Sequence, residues 1–221
     1  MKLTLYPYDA FKIEAGIPTI IRTNNQSFYS NLIMGFQRND NLVLSENDEK
    51  IELNNGLDFL GNVVTNPDLF QSFKSKFEKE IIDNLNENER QRLYQLDREV
   101  KSIFLNSIYL EDFPLAVDEE WDLRKQYKYC GVSFLDNSLS SPYDIIKEVL
   151  NLYHKFNFRK LVVLNDLFNY LDEEHQIQIF RLIKQLELHV LLLDFSWQPY
   201  SQLLEECRYY SIDKDFVIFE R

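Results

Sequence analysis

The sequence has little of what metal–thiolate, disulfide-bonded or membrane proteins need. It contains only two cysteines, Cys130 and Cys207, and no CxxC pair. Two unclustered thiols argue against a cysteine zinc site and are typical of a reducing compartment. No apolar run approaches the roughly 20 residues that span a bilayer, and no signal peptide is recognisable. We therefore expect a cytoplasmic protein without a membrane partner.

Positive charge is also scarce. The chain of 221 residues has 24 Lys and Arg against 36 Asp and Glu, a net charge of −12. As a bulk property this argues against a nucleic-acid partner, although it does not exclude a local basic surface. The chain is 45% hydrophobic, with 17 Phe and 13 Tyr, so it can bury a substantial core. Its length allows one large domain or two small ones.

A phosphate-binding loop is missing from the place where one is expected. Residues 18–22 are predicted to form a strand, and a helix begins near Phe28. The residues between them read Thr-Asn-Asn-Gln-Ser, whereas a phosphate loop needs the pattern GxxxxGK[ST]. Without the glycines, backbone N–H groups cannot close around phosphate, and there is no lysine to reach it. If the fold is that of a nucleotide-binding protein, we expect its nucleotide site to be lost.

The stretch 158–197 predicts a β-α-β unit. Residues 161–164 and 188–193 are continuously apolar apart from His189, which is typical of parallel strands buried on both faces. Four apolar residues between them recur with the spacing of one helical face: Ile179, Leu182, Ile183 and Leu186. Asp172 is the predicted N-cap. The first run ends in Asn165-Asp166 and resembles a Walker B strand, or it is an ordinary buried strand followed by a turn.

The remaining periodicity predicts further strands and a helical insertion. We expect strands at 2–6, 11–14, 18–22, 42–45 and 50–53. Strands 11–14 and 18–22 are predicted to pair as a hairpin around Gly16, and 42–45 is predicted to pair with 50–53. Asn66-Pro67 is predicted to start a helix, and two antiparallel helices of about 18 to 22 residues should follow. A coiled-coil-like seam lies on the second of them: Leu93, Leu96, Val100, Ile103 and Ser107. The predicted domains are an α/β head, 1–62 plus 128–221, and a helical leg, 63–127.

Three aspartates are predicted at the carboxyl ends of strands, where open α/β sheets bind ligands. They are Asp136, Asp166 and Asp194. Converging there, the carboxylates would suit Mg²⁺ in a phosphodiesterase or an NTPase. The alternative is that each of them caps a turn or the following helix.

An acidic segment lies at the predicted joint between the head and the leg. Its members are Glu111, Asp112, Asp118, Glu119 and Glu120. Hard oxygen ligands gathered in this way suit Ca²⁺. The alternative is that the last three residues complement the dipole of a helix N-terminus.

The predicted helical hairpin also carries cations, most of them away from its apolar stripe. They are Lys74, Lys76, Lys79, Arg90, Arg92, Arg98 and Lys101. Interleaved with Glu, they are consistent with an ordinary solvated face. They are equally consistent with a surface that follows DNA phosphates, which proteins bind mainly through Lys and Arg.

The order of these elements resembles a known family, the small, short-form CRISPR type II-A spacer-acquisition proteins of the Csn-two family. The resemblance extends over essentially the whole chain. It is strongest at residues 160–165 with Tyr170-Leu171, at 188–194, at 130–132 after the acidic segment, and in the closing Tyr-Ser-Ile-Asp-Lys-Asp-Phe-Val-Ile. The fold that it implies is a degenerate P-loop or ABC-ATPase-like head without a Walker A loop, carrying an inserted α-helical leg.

The resemblance also implies a function. It implies a homotetrameric ring that holds the ends of double-stranded DNA during spacer acquisition in antiviral defence, without catalysis. The CRISPR integrase proteins and effector nuclease of the same system would be its protein partners. Calcium at the acidic segment would support the ring, and the candidate DNA contacts are Lys74, Lys76, Lys79, Arg90, Arg92 and Lys101. The alternative function is a metal-dependent nuclease or NTPase that uses the strand-end aspartates.

Overall fold

The computed structural model describes residues 1–66, 68–111, 113–133, 141–196 and 206–220. The chain divides into two compact units. The larger unit, which we call the head, comprises Met1–Leu69 and Asp136–Arg221, and the smaller unit, the leg, comprises Phe70–Leu135. The predicted leg, 63–127, begins and ends several residues earlier than this unit.

Both units are built from short regular elements. The strands are β1 (Lys2–Leu5), β2 (Phe11–Lys12), β3 (Thr19–Thr23), β4 (Leu42–Glu46), β5 (Glu49–Ile51), β6 (Leu57–Gly61), β7 (Leu161–Asn165), β8 (His189–Phe195), β9 (Arg208–Ile212) and β10 (Ile218–Glu220). The helices are α1 (Gln26–Arg38), α2 (Leu53–Gly56), α3 (Lys74–Asn84), α4 (Glu87–Ile108), α5 (Leu123–Tyr129), α6 (Pro142–Lys155) and α7 (Glu173–Leu186). Helices α3 to α5 belong to the leg. None of the helices in the described ranges is both long and apolar enough to cross a membrane.

The head contains a six-stranded, mostly parallel sheet in the order β10-β9-β3-β8-β7-β6. Strand β10 is antiparallel to β9, and the other neighbours in this sheet are parallel. The predicted β-α-β unit is confirmed, because β7 and β8 are parallel neighbours with α7 between them in sequence. Asp172 caps α7 as predicted, since its Oδ1 accepts a hydrogen bond from the backbone N–H of His175 at 2.9 Å. The α/β fold class is therefore confirmed.

A second sheet of the head is antiparallel, in the order β2-β1-β4-β5. The predicted pairing of 42–45 with 50–53 is confirmed as β4 and β5. The predicted hairpin around Gly16 is wrong, because β2 pairs with β1 while β3 enters the parallel sheet. All five residues of β3 are buried, as in a central strand rather than one arm of a half-exposed hairpin. Gly16, at φ +74°, turns the chain from one sheet to the other.

The main core of the head lies between the two sheets. It includes Leu3 and Leu44 from the antiparallel sheet, Phe28 and Leu32 from α1, and Val163 from the parallel sheet. Successive side chains of a strand point to opposite faces of the sheet. The side chains of the parallel sheet that point away from this core are also buried. Both faces of the parallel sheet are therefore covered, which explains its continuous apolar runs.

The leg is less well buried than the head. Helix α4 has 22 residues, as predicted, and begins with a capping box between Asn86 and Glu89. Helix α3 has only 11 residues, so its predicted length is wrong. The side chain of Asn66 accepts a hydrogen bond from the backbone N–H of Asp68 at 3.0 Å and stabilises a turn there instead of a helix start. Helices α3, α4 and α5 contain no buried residue.

One ion pair lies inside the parallel sheet. Arg22 of β3 stands directly opposite Asp194 of β8 in the strand register, and Nε donates to Oδ2 at 2.5 Å. The two side chains are 9% and 3% exposed. Burial raises the pKa of Asp194, and the Arg22 charge opposes that shift. Burial removes both charges from water, and each is stabilised instead by the opposite charge of its neighbour.

We predict that breaking this pair from either side strongly destabilises the head. Arg22→Met or Asp194→Asn should each lower the free energy of unfolding by about 3–5 kcal/mol, since the remaining buried charge loses the opposite charge beside it. Arg22→Met combined with Asp194→Asn should cost less than the sum of the two single changes. Chemical denaturation measures these differences, with exposed Asp9→Asn as the control. Single variants as stable as the control would contradict a structural role for the pair.

Candidate functional site

The connection between β3 and α1 consists of only two residues, Asn24 and Asn25. The side chain of Asn25 accepts the N–H of Phe28 at 3.0 Å, and its backbone carbonyl accepts the N–H of Tyr29 at 3.0 Å. The Nδ2 of Asn25 donates to the carbonyl oxygen of Lys214 in the β9–β10 turn. A phosphate loop spans about eight residues and leaves N–H groups free for phosphate. This connection is too short to form such a loop, and residues of the chain itself cap the start of the helix.

Two of the three strand-end aspartates lie at the carboxyl edge of the parallel sheet. The Asp194 carboxylate is paired with Arg22, as described above. Asp166 follows β7 with φ +60°, and its carboxylate accepts Asn165 Nδ2 at 2.8 Å and the Tyr29 hydroxyl at 3.4 Å. Asp136, the third member, lies outside the described residues. The two described carboxylates therefore bind a guanidinium, an amide and a phenol of the chain itself.

The ionisable side chains at this edge of the sheet shift one another's pKa values. Burial, and next the charge of Asp166, raise the pKa of Tyr29 to about 12. The same Asp166 charge contributes to the raised pKa of Asp194. In the parts of the chain that the structure describes, no three His, Cys, Asp or Glu side chains are gathered so that they could hold a metal ion. The two described carboxylates of this edge are each bound by side chains of the chain itself.

The acidic segment of the leg is exposed at its four described members, Glu111, Asp118, Glu119 and Glu120. Asp112 lies outside the described residues. Lys125 Nζ donates to Asp118 Oδ2 at 2.9 Å, and the backbone N–H of Glu120 donates to Oδ1 at 3.0 Å. The Lys125 hydrogen bond holds the pKa of Asp118 below its ordinary value. These described carboxylates do not fit a calcium site as they stand, and calcium binding stays a prediction of the resemblance.

Two of the six predicted DNA contacts are used by the leg itself. Arg90 donates through Nε to the carbonyl of Leu85 at 2.9 Å and through Nη2 to that of Ile82, so it closes the end of α3. Lys101 Nζ lies 2.8 Å from Asp97 Oδ2 and donates to the Glu120 carbonyl at 2.7 Å. These contacts remove Arg90 and Lys101 from the set of cations that can meet DNA without first breaking a bond within the leg.

The other four predicted contacts are exposed residues: Lys74, Lys76, Lys79 and Arg92. The structure adds two exposed cations that the sequence reasoning did not select, Arg124 and Lys128 on α5. Helix α5 packs against α3, and Arg124 Nε lies 3.8 Å from Glu78 Oε1. The sequence signal was available, since three basic residues follow the acidic segment within one short helix. These residues lie outside the predicted hairpin, on a helix that follows it in the sequence.

The fold is similar to that of a solved structure, Stu0660 of Streptococcus thermophilus. The match has a TM-score of 0.59 at 14% sequence identity and covers all of this chain and 76% of that one. No family profile matches the sequence, and no curated protein matches it. At this identity the similarity shows the fold alone.

We predict that Arg90 and Arg92, two residues apart on α4, differ in role. Arg90→Met should speed hydrogen exchange of the α3 amides, because charge-assisted hydrogen bonds of about 1.5–3 kcal/mol to the end of α3 are lost. Arg92→Met, at an exposed position, should leave it unchanged. Hydrogen exchange of the α3 amides measures both effects. Equal behaviour of the two variants would mean that Arg90 does not hold α3.

Proposed function

We propose that this chain binds the ends of double-stranded DNA without catalysis, as a subunit of a homotetrameric ring that supports CRISPR spacer acquisition. The observation that carries the proposal is the order of sequence motifs along the whole chain. The fold similarity to Stu0660, a Csn2 protein of a CRISPR locus, extends over the same length and is consistent with it. The same resemblance extends the proposal to the integrase proteins and effector nuclease of the system as partners.

The head, in this proposal, is a degenerate P-loop domain of the ABC-ATPase kind. Strand β3 lies where the phosphate-loop strand of such a domain would lie, between two parallel neighbours and before a helix. Its connection to α1 is two residues long. The Asp194 carboxylate is bound by Arg22, so it is not free to hold Mg²⁺. These features favour a binding protein over the nuclease or NTPase that strand-end aspartates would otherwise suggest.

The distribution of charge allows the leg to meet DNA despite the acidic chain. Residues 70–135 hold ten Lys and Arg against thirteen Asp and Glu, whereas the whole chain has 24 against 36. The leg is therefore closer to neutrality than the head. Contacts between exposed lysines or arginines and phosphate fix the position of DNA without reading its bases. Binding should accordingly be independent of sequence.

We predict that reversing three leg cations weakens binding of every linear duplex to a similar degree. The variant replaces Lys74, Lys79 and Arg92 by Glu, and affinity is measured by gel shift over a range of salt. Each phosphate contact contributes about 0.9 to the log–log salt slope, so the slope should become shallower by about 2 to 3. Closed circular duplex should bind much more weakly than linear duplex, because a closed ring admits DNA only through an end.

The matched control carries the same change in net charge on the head: Lys50, Arg159 and Lys184 replaced by Glu. If both triple variants lose affinity equally, bulk repulsion rather than a leg surface governs binding. Equal affinity for circular and linear DNA would contradict the ring. The same reactions, run with divalent metal and ATP, are scored for cleavage and for phosphate release. Turnover that Asp166→Ala abolishes would establish the enzyme instead.

The ring itself is supported by an apolar surface that the single chain leaves uncovered. Three apolar members of the predicted α4 seam are exposed, Leu96 to 47%, Val100 to 52% and Ile103 to 64%, and Phe104 beside them is exposed to 61%. A spacing of three and four residues along 22 residues of helix suits another helix. We propose a second copy of this chain as the partner that covers α4.

We predict that Ile103→Ser with Phe104→Ser shifts the protein toward smaller assemblies. Burial of about 1.5–3 kcal/mol per large apolar side chain would be lost from each copy of the interface. Sedimentation over a range of protein concentrations measures the change, and Val43→Ser, an exposed apolar residue of the head, is the control. A wild-type chain that stays monomeric at tens of micromolar would exclude the ring.

A further inference from the structure

Lys101 joins helix α4 to residues 118–122, the segment that precedes α5. Its Nζ donates to the carbonyl oxygen of Glu120 at 2.7 Å and lies 2.8 Å from Asp97 Oδ2. Asp97 is one turn away on α4, whereas Glu120 is 19 residues further along the chain. Only 17% of each charged side chain is exposed, so this ammonium is largely removed from water. Among the leg residues, it therefore forms a shielded charged bridge between two separate elements.

The two oxygens next to Lys101 Nζ are of kinds that also bind metal cations. A carboxylate oxygen and a peptide carbonyl oxygen are the ligand types that Ca²⁺ prefers in proteins. A lysine ammonium is a compact positive charge with three N–H donors on a flexible stem. Here it donates a hydrogen bond to the Glu120 carbonyl oxygen and forms an ion pair with the Asp97 carboxylate. Asp118, in the same segment, is likewise bound by an ammonium, that of Lys125. The oxygens of this segment thus bind cations that the chain supplies itself.

The neighbouring contacts bring the segment onto the same stretch of α4. The rings of Trp121 and Tyr94 meet edge to face with centroids 5.4 Å apart. Gln126 Nε2 donates to the carbonyl oxygen of Leu93 at 3.1 Å. Helices α4 and α5 bury no residue completely, so apolar packing alone contributes little to holding them together. A shielded charge-assisted bond consequently has a larger share in fixing the segment than it would have in a well-packed core.

We propose that Lys101 takes the place of a divalent cation in the leg, holding residues 118–122 on α4 so that this segment keeps its conformation without calcium. The proposal goes beyond DNA binding and does not depend on it. It also assigns Lys101 a positioning role instead of a contact to phosphate. It disagrees with the calcium site that the sequence resemblance implies for the same acidic segment.

The test is hydrogen exchange of amides 118–122 in the full-length protein without DNA. Wild-type protein should exchange at the same rate with a chelator and with calcium at about 5 mM, a concentration that saturates even weak protein sites. Lys101→Met keeps most of the aliphatic stem but removes the ammonium, and exchange should become about tenfold faster. Lys101→Arg, which keeps the charge, should restore part of the protection. Lys79→Met, an exposed lysine of α3, is the matched control and should exchange like wild type.

Two results would overturn the proposal. Calcium-dependent slowing of these amides in the wild-type protein would show that an ion holds the segment. Exchange in Lys101→Met equal to that in Lys79→Met would show that the ammonium holds nothing. The wild-type comparison needs no variant, so it decides the matter even if Lys101→Met fails to fold. A failure of DNA binding would leave both readouts unchanged, because DNA is absent from the assay.

Discussion

A guanidinium and a carboxylate face each other across β3 and β8, inside a sheet whose faces are both covered. Separating Arg22 from Asp194 would take a buried charge away from the opposite charge that it faces, at a cost that no ordinary surface contact offsets. The pairing therefore fixes the register of the two central strands. That register in turn determines where the β3–α1 connection leaves the sheet and where the carboxyl edge with Asp166 lies. Among its described residues the leg has no such buried pair, and contacts of Arg90 and Lys101 with backbone carbonyls and with Asp97 join its elements.

The fold could be predicted where a segment's own pattern determines its environment. Continuous apolar runs at 161–164 and 188–193 gave the parallel strands, and the period of 3.6 between them gave α7. The partner of β2 could not be predicted, because two short apolar stretches around a glycine look the same whether they pair or separate into two sheets. Pairing is decided by contacts distant in sequence. The short α3 was missed for a local reason, the competing turn at Asn66.

The candidate site could be predicted as a set of residue types but not as a set of roles. Spacing identified Arg90 and Lys101 as cations of the leg. It could not show that both bind backbone carbonyls, those of Ile82, Leu85 and Glu120. A peptide carbonyl is present at every position, so it leaves no signature in the sequence. Arg92 lies two residues after Arg90 and has the same chemistry, but its side chain is exposed. Only the fold distinguishes the roles of these two arginines.

The two-residue connection between β3 and α1 bears on the evolutionary accessibility of a nucleotide site. A phosphate loop of about eight residues would need an insertion of roughly six at this point, together with release of the bonds that Asn25 makes. No series of point substitutions supplies that length of backbone. A chain with this connection therefore acquires a phosphate loop only through an insertion beside a packed strand, and substitution of its present residues is not enough.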